Sequence, residues 1–92
     1  MRELRYTTQF ERDFKRLKKD PRVKRLETVL TRLIEALQHD SVLAPKFLDH
    51  ALLGGYKDCR ECHVKPDLLL IYAKPDDRVL TLIRLGSHSE LF

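Results

Sequence analysis

Four histidines punctuate this chain, His39, His50, His63 and His88. Imidazole has an unperturbed pKa of about 6.5, so it takes or gives a proton near neutral pH. His39 falls at the end of a helical stretch, where an imidazolium complements the helix dipole, and reads as a capping or exposed group. The other three lie in the C-terminal half beside turns or strand ends, with Asp67, Arg84 and Phe92 scattered among them. Such a set is chemically sufficient to cleave RNA without a metal. RNA carries its own nucleophile, the 2′-hydroxyl. A base withdraws its proton, an acid protonates the departing 5′-oxygen, and a cation stabilises the charge building on the phosphate. Composition alone does not bring these groups together.

Each of these residues also has a purely structural reading. His50 can pair with its neighbour Asp49 in a loop, and His63 can hydrogen-bond an adjacent strand. Asp67 follows Pro66, a common place for a turn-forming Asp. Arg84 can pair with a carboxylate on the sheet surface, and Phe92 can anchor the end of the chain on the core. His88, in Gly-Ser-His, is the hardest to explain by packing.

The elements that must position these groups follow from patterning. Glu3 to Thr7 reads as a short strand. Thr8-Gln9-Phe10-Glu11 has capping-box spacing, and Phe10, Phe14 and Leu17 follow at helical intervals, predicting a helix that ends near Lys19. Asp20-Pro21 predicts the start of a second helix, with Pro at its first position. Its apolar stripe runs through Val23, Leu26, Leu30, Leu33 and Leu37 to about Gln38. Residues 39–55, with Pro45 and Gly54-Gly55, read as a loop. Three strands follow: Tyr56 to Val64, the continuous apolar run Leu68 to Tyr72, and Val79 to Leu85. Turns at 65–67 and 74–77 separate them, and 86–92 reads as a short tail. The expected architecture is α+β: a strand, two helices, then a three-stranded antiparallel meander with the helices on one face of the sheet.

At 92 residues, 42% apolar and 35% charged, the chain suits one domain, spanning 1–92, with a modest core. It has no apolar run of about 18 residues to span a membrane. It begins Met-Arg-Glu-Leu-Arg-Tyr, without the apolar stretch of a secretory signal, so a cytoplasmic protein is expected. The net charge of +4 divides into +6 over residues 1–25 and −2 over the remainder. That basic N-terminal third suits a polyanion or an acidic partner, or simply a solvated helix face.

Cys59, Cys62 and His63 spell the c-type haem attachment pattern, Cys-x-x-Cys-His. The match is rejected on physical grounds. Such haem attachment belongs to exported proteins, the only Met is Met1, and strand alternation sends the two thiols to opposite faces. They read as ordinary strand residues, and no cofactor or metal is expected.

A set of ordered residues goes further than any of these. Asp49-His50, Leu53-Gly54-Gly55-Tyr56-Lys57, Arg60, His63-Val64-Lys65-Pro66-Asp67, Leu70-Ile71-Tyr72 and Arg84-Leu85-Gly86-Ser87-His88-Ser89-Glu90-Leu91-Phe92 together resemble the YafQ toxins of the RelE/ParE superfamily. The resemblance implies a microbial RNase fold and an endoribonuclease, an mRNA interferase that cuts mRNA in the ribosomal decoding site. It also implies neutralisation by a cognate antitoxin. By position, His50, His63, Asp67 and His88 match acid–base residues, Arg84 a phosphate-binding cation and Phe92 an aromatic that contacts RNA. On this resemblance His88 is the general acid and His50 or Asp67 the base, with Arg84 and His63 stabilising phosphate charge. The basic N-terminal helices would then contact rRNA. One departure stands out: relatives can carry Trp after the turn Asp, where this chain has Leu68. The alternatives are a ParE-like toxin that poisons DNA gyrase without cutting RNA, and a degenerate homologue that only binds an antitoxin or DNA; neither requires the histidine set.

Overall fold

Thr7 is pinned at the point where strand gives way to helix. Its amide donates to the Leu82 carbonyl at 3.0 Å and its hydroxyl to the Ile83 carbonyl at 2.7 Å. The same hydroxyl accepts from the Phe10 amide at 3.0 Å. The extended residues before it form β1 (Glu3–Tyr6), and the helix it caps is α1 (Thr8–Lys18). The cap therefore sits one residue earlier than its predicted place at Thr8, because Thr7 is tied to the sheet. The computed structural model describes every residue except Lys24 and Leu53. The predicted contribution of Leu53 to the loop falls outside the described residues.

The second helix also departs from expectation. Asp20 does cap a turn, accepting from the Arg22 amide at 2.9 Å. That turn does not propagate, because Arg25 adopts the left-handed conformation at φ 57°. The helix α2 (Leu26–Gln38) starts after it and buries Leu26, Leu30, Leu33 and Leu37 as a single stripe. Val23 still packs against the same core from outside the helix.

A 3-10 turn (Pro45–Phe47) and a two-residue strand, β2 (His50–Ala51), interrupt what reads in sequence as plain loop. Then come β3 (Arg60–Lys65), β4 (Leu68–Ala73), β5 (Val79–Gly86) and a final helical turn, α3 (His88–Leu91). The predicted first meander strand thus begins at Arg60 rather than Tyr56. The five strands lie in the order β1-β5-β4-β3-β2, with β1 parallel to β5 and the other pairs antiparallel. A parallel pair needs a long crossover, which the helices provide. The α+β reading holds; β2, α3 and the parallel edge are additions to it.

The sheet is buried on both faces at its centre. Toward α1 and α2 it presents Cys62, Val64, Leu68, Leu70, Tyr72, Leu80, Leu82 and Leu85. Toward the other side it presents Leu69 and Ile71, covered by Leu91 from α3. This explains the uninterrupted apolar run of β4, whose residues 68–72 are all buried. Leu68 belongs to the helix-side core and is 5% exposed, so it does not stand where a base could stack. Burying each large aliphatic side chain contributes roughly 1.5–3 kcal/mol.

Candidate active site

Strand register decides which candidate residues meet. His50 on β2 pairs with Glu61 on β3, Glu61 with Ile71 on β4, and Ile71 with Arg84 on β5. Cross-strand partners share a face, so this row crosses the side of the sheet away from α1 and α2. The neighbouring row runs from His63 through Leu69 to Gly86, which leads into His88. His50, His63 and Arg84 therefore stand on one face, around a floor of Leu69 and Ile71. Three strand spacings separate the ends of the first row, roughly 15 Å. His50 is thus not a direct neighbour of Arg84.

Arg84 owes its place to a change of partner at the β5 edge. Pairing with β1 ends at Tyr6 opposite Leu82, and beyond it the first turns of α1 take over. Asp13 accepts from the Leu85 amide at 3.0 Å, as a neighbouring strand would. The same carboxylate takes Arg84 Nε at 2.8 Å and Nη2 at 3.3 Å. A register shift in β5 beside Ile71 places Arg84 at this point. The hydrogen bond to Asp13 outweighs partial burial and raises the guanidinium pKa, with Tyr56 acting in the same direction. For Asp13, burial pushes the pKa up, but Arg84 and the Leu85 amide more than offset it and hold it below the usual carboxylate value. The structural reading of Arg84, a carboxylate partner, is thus realised. Its side chain nevertheless keeps 25% of its surface open.

The C-terminal residues close one end of the face. Ser87 caps α3 through a capping box with Glu90: Ser87 N donates to Glu90 Oε1 at 2.9 Å, and Glu90 N to Ser87 Oγ at 3.3 Å. Hydrogen bonding by the Ser87 amide, more than the nearby Arg16, lowers the Glu90 pKa against its partial burial. Leu91 anchors the turn on the apolar floor, so Phe92 does not: it is 55% exposed. Its ring lies 5.0 Å from the His88 ring and edge-on to Tyr56 at 5.5 Å. The Tyr56 hydroxyl donates to the Leu91 carbonyl at 3.1 Å, tying this end to the loop before β3.

Asp67 joins the same end. It sits in the β3–β4 turn, and its Oδ1 accepts from the His88 amide at a long 3.4 Å, leaving the carboxylate exposed and largely free. His63, at the other side of that turn, has Nδ1 3.2 Å from the Pro66 carbonyl. Arg84, Tyr56, Phe92, His88 and Asp67 thus link one to the next in that order, and His63 flanks the turn that carries Asp67.

His50 is held separately. Its Nδ1 lies 2.6 Å from the Leu48 carbonyl, and its Nε2 lies 2.8 Å from Glu61 Oε2. The Leu48 carbonyl can only accept, so Nδ1 is the donor in that contact, while Nε2 faces the carboxylate. Asp49, the expected partner, is engaged elsewhere: it accepts from the Tyr72 hydroxyl at 2.5 Å and from Arg60 Nε at 3.3 Å. Burial and the Asp49 carboxylate push the Tyr72 pKa up. Sequence reasoning missed Glu61, Asp13 and Tyr56. For Asp13 the signal was an acidic residue within the apolar spacing of Phe10, Phe14 and Leu17; the polar stretch around Glu61 gave no such signal.

The thiols take no part. Cys62 lies in the helix-side core and Cys59 beside the opposite cluster, as strand alternation requires. Burial, aided by the Asp49 and Glu61 charges, pushes the Cys62 pKa up to about 12. Among the described residues, no group of three His, Cys, Asp or Glu side chains can hold a metal ion. No helix among them is long and apolar enough to cross a membrane.

Comparison with known proteins gives this geometry a family. The chain is 35% identical over 92 residues to the mRNA interferase toxin YafQ of Escherichia coli, covering 99% of this chain and 96% of that one. A metal-bound toxin from Helicobacter pylori superposes with a TM-score of 0.89 at 46% identity, over the whole of both chains. The YafQ chain of the E. coli DinJ–YafQ complex superposes with a TM-score of 0.85 at 34% identity, covering 100% of this chain and 99% of that one. The family model for the bacterial toxin of type II toxin–antitoxin systems, YafQ, matches residues 2–92. The chain belongs to the YafQ family of type II toxin–antitoxin toxins.

Proposed function

We propose that this protein is an mRNA interferase, a single-domain endoribonuclease toxin that cuts mRNA on the ribosome and is neutralised by a cognate antitoxin. The observation that carries the reading is the one-sided face of the sheet. His50, His63 and Arg84 stand on it, and Asp67, His88 and Phe92 close its end. The names of the E. coli relatives, an mRNA interferase and a toxin in complex with DinJ, support the substrate class and the partner.

Cleavage proceeds by attack of the 2′-oxygen on the adjacent phosphorus. The 2′-proton goes to the base, the P–O5′ bond breaks, and the acid protonates the leaving 5′-oxygen, giving a 2′,3′-cyclic phosphate and a 5′-hydroxyl. Asp67 is the better-placed base, because both His50 nitrogens face oxygen partners. His88 is the acid, and Arg84 and His63 stabilise the charge on the phosphate oxygens. Phe92 offers an exposed ring to a nucleobase, a contact worth about 1–3 kcal/mol. The cleavage steps proposed here use only these side chains and the RNA's own 2′-hydroxyl.

The basic N-terminal helices face rRNA in this reading. Lys15, Arg16, Lys18 and Arg22 are each paired with a carboxylate on the surface. Such exposed pairs hold together weakly and yield readily to phosphates. The test is induction of wild type and His88→Ala in cells with mapping of mRNA ends. Ribosome-phased cuts lost in the variant support the reading. Growth arrest with intact mRNA and broken DNA would replace it with a gyrase poison.

A further inference from the structure

We infer that Asp13 is a positioning residue for RNA cleavage: its buried carboxylate fixes the Arg84 guanidinium so that the remaining edge faces the phosphate. The inference rests on the reading of Arg84 as the phosphate cation.

Asp13 is 3% exposed, although it lies on a helix whose other charged residues point to solvent. A buried carboxylate is costly unless its oxygens are satisfied. Its contacts converge on one place: the Leu85 amide, Arg84 Nε and Arg84 Nη2, with Gln9 Nε2 at 3.4 Å. The guanidinium is planar, so fixing Nε and one terminal nitrogen fixes the whole plane. Arg carries five N–H groups, and Asp13 uses two of them. The remainder are left on the side away from the carboxylate, and Tyr56 stands against the same group.

The Leu85 amide adds a second constraint. Because Asp13 is also bonded to the β5 backbone next to Arg84, the carboxylate stays beside the guanidinium for as long as the α1–β5 contact holds. Asp13 also cancels part of the arginine's charge. It therefore weakens attraction for phosphate in the ground state while removing the entropy cost of ordering a long side chain at the transition state. Removing the Asp13 charge should therefore lower kcat without raising KM.

The experiment is single-turnover cleavage of a short mRNA on programmed ribosomes by wild type, Asp13→Asn, Arg84→Ala and the double variant. Toxin concentration is varied to separate KM from kcat, and each folded fraction is checked by circular dichroism. Asp13→Asn is expected to lower kcat about tenfold or more, as misorientation of a catalytic group does, with KM unchanged or lower. The double variant should be no worse than Arg84→Ala alone, since the two act as a unit. Arg84→Lys retains a cation opposite Asp13 but has no plane to orient, so it provides a test that does not remove the buried carboxylate. It should cleave as poorly as Arg84→Ala. The inference is overturned if the two losses multiply, if Asp13→Asn raises KM with kcat intact, or if Arg84→Lys cleaves like wild type. Should Arg84→Ala itself cleave normally, the reading of Arg84 as phosphate cation fails, and this inference fails with it.

Discussion

Glu61 meets His50 across the β2–β3 pair, Oε2 to Nε2 at 2.8 Å, with the carboxylate buried and the imidazole half exposed. The other Glu61 oxygen is buried with no hydrogen-bond partner among the described residues. His50 is therefore the chief satisfaction of a costly group. His50→Ala is expected to destabilise the fold by about 1–3 kcal/mol, because it leaves a buried acceptor unpaired. Adding Glu61→Leu should recover much of that loss. Urea denaturation of the single and double variants checks this. Equal stability of His50→Ala and wild type would mean that the ring does not sustain the carboxylate.

Acid should act on the Asp13–Arg84 pair in a defined direction. The Asp13 pKa is lowered in the folded state from its ordinary 3.8. Its stabilisation is thus fully present above about pH 4 and is lost as pH falls through the lowered folded value. Asp13→Asn should be less stable than wild type at neutral pH, with the gap narrowing below pH 4. Chemical denaturation of both proteins from pH 7 to pH 3 measures it, and a constant gap would contradict the linkage.

The Ser87 cap holds His88 and Phe92 at the end of the face. Loss of a Ser cap costs about 0.5–2 kcal/mol of local helix stability. In Ser87→Ala, amide exchange at Glu90 and Leu91 should speed up, global stability should change little, and cleavage should fall. Unchanged exchange with unchanged cleavage would show that the cap is dispensable.

Cys62 is fully buried, with its thiol pKa pushed up to about 12. At pH 8 it should resist a soluble disulfide reagent until the protein unfolds, and the half-buried Cys59 should react slowly. Rapid labelling of Cys62 in the native state would contradict the packing described for β3.

Much of this fold was legible in the residues. The Leu26, Leu30, Leu33 and Leu37 stripe and the unbroken run of β4 each have one physical solution, a face against a sheet and a strand covered on both sides. The ends of elements were less legible, because tertiary bonds set them. Thr7 rather than Thr8 caps α1 through its contacts with Leu82 and Ile83, about 75 residues away. The α3 turn carried a readable signal, Ser87 followed by Glu90 at capping-box spacing, which the tail reading passed over. For the candidate site, residue types alone left His50, His63, Asp67, Arg84 and His88 scattered, and the resemblance to YafQ toxins is what grouped them. The carboxylates that hold two of them, Asp13 and Glu61, depend on strand register and on where β1 stops. No local pattern encodes either.

The most direct test of the proposed chemistry is cleavage of an mRNA carrying a single 2′-deoxy nucleotide immediately 5′ of the scissile phosphate. With the 2′-oxygen as nucleophile, the wild-type protein should cut the all-ribose message to a 2′,3′-cyclic phosphate and leave the substituted site intact. Cutting at the 2′-deoxy position would contradict the mechanism, since no residue on this face would then have a 2′-proton to remove.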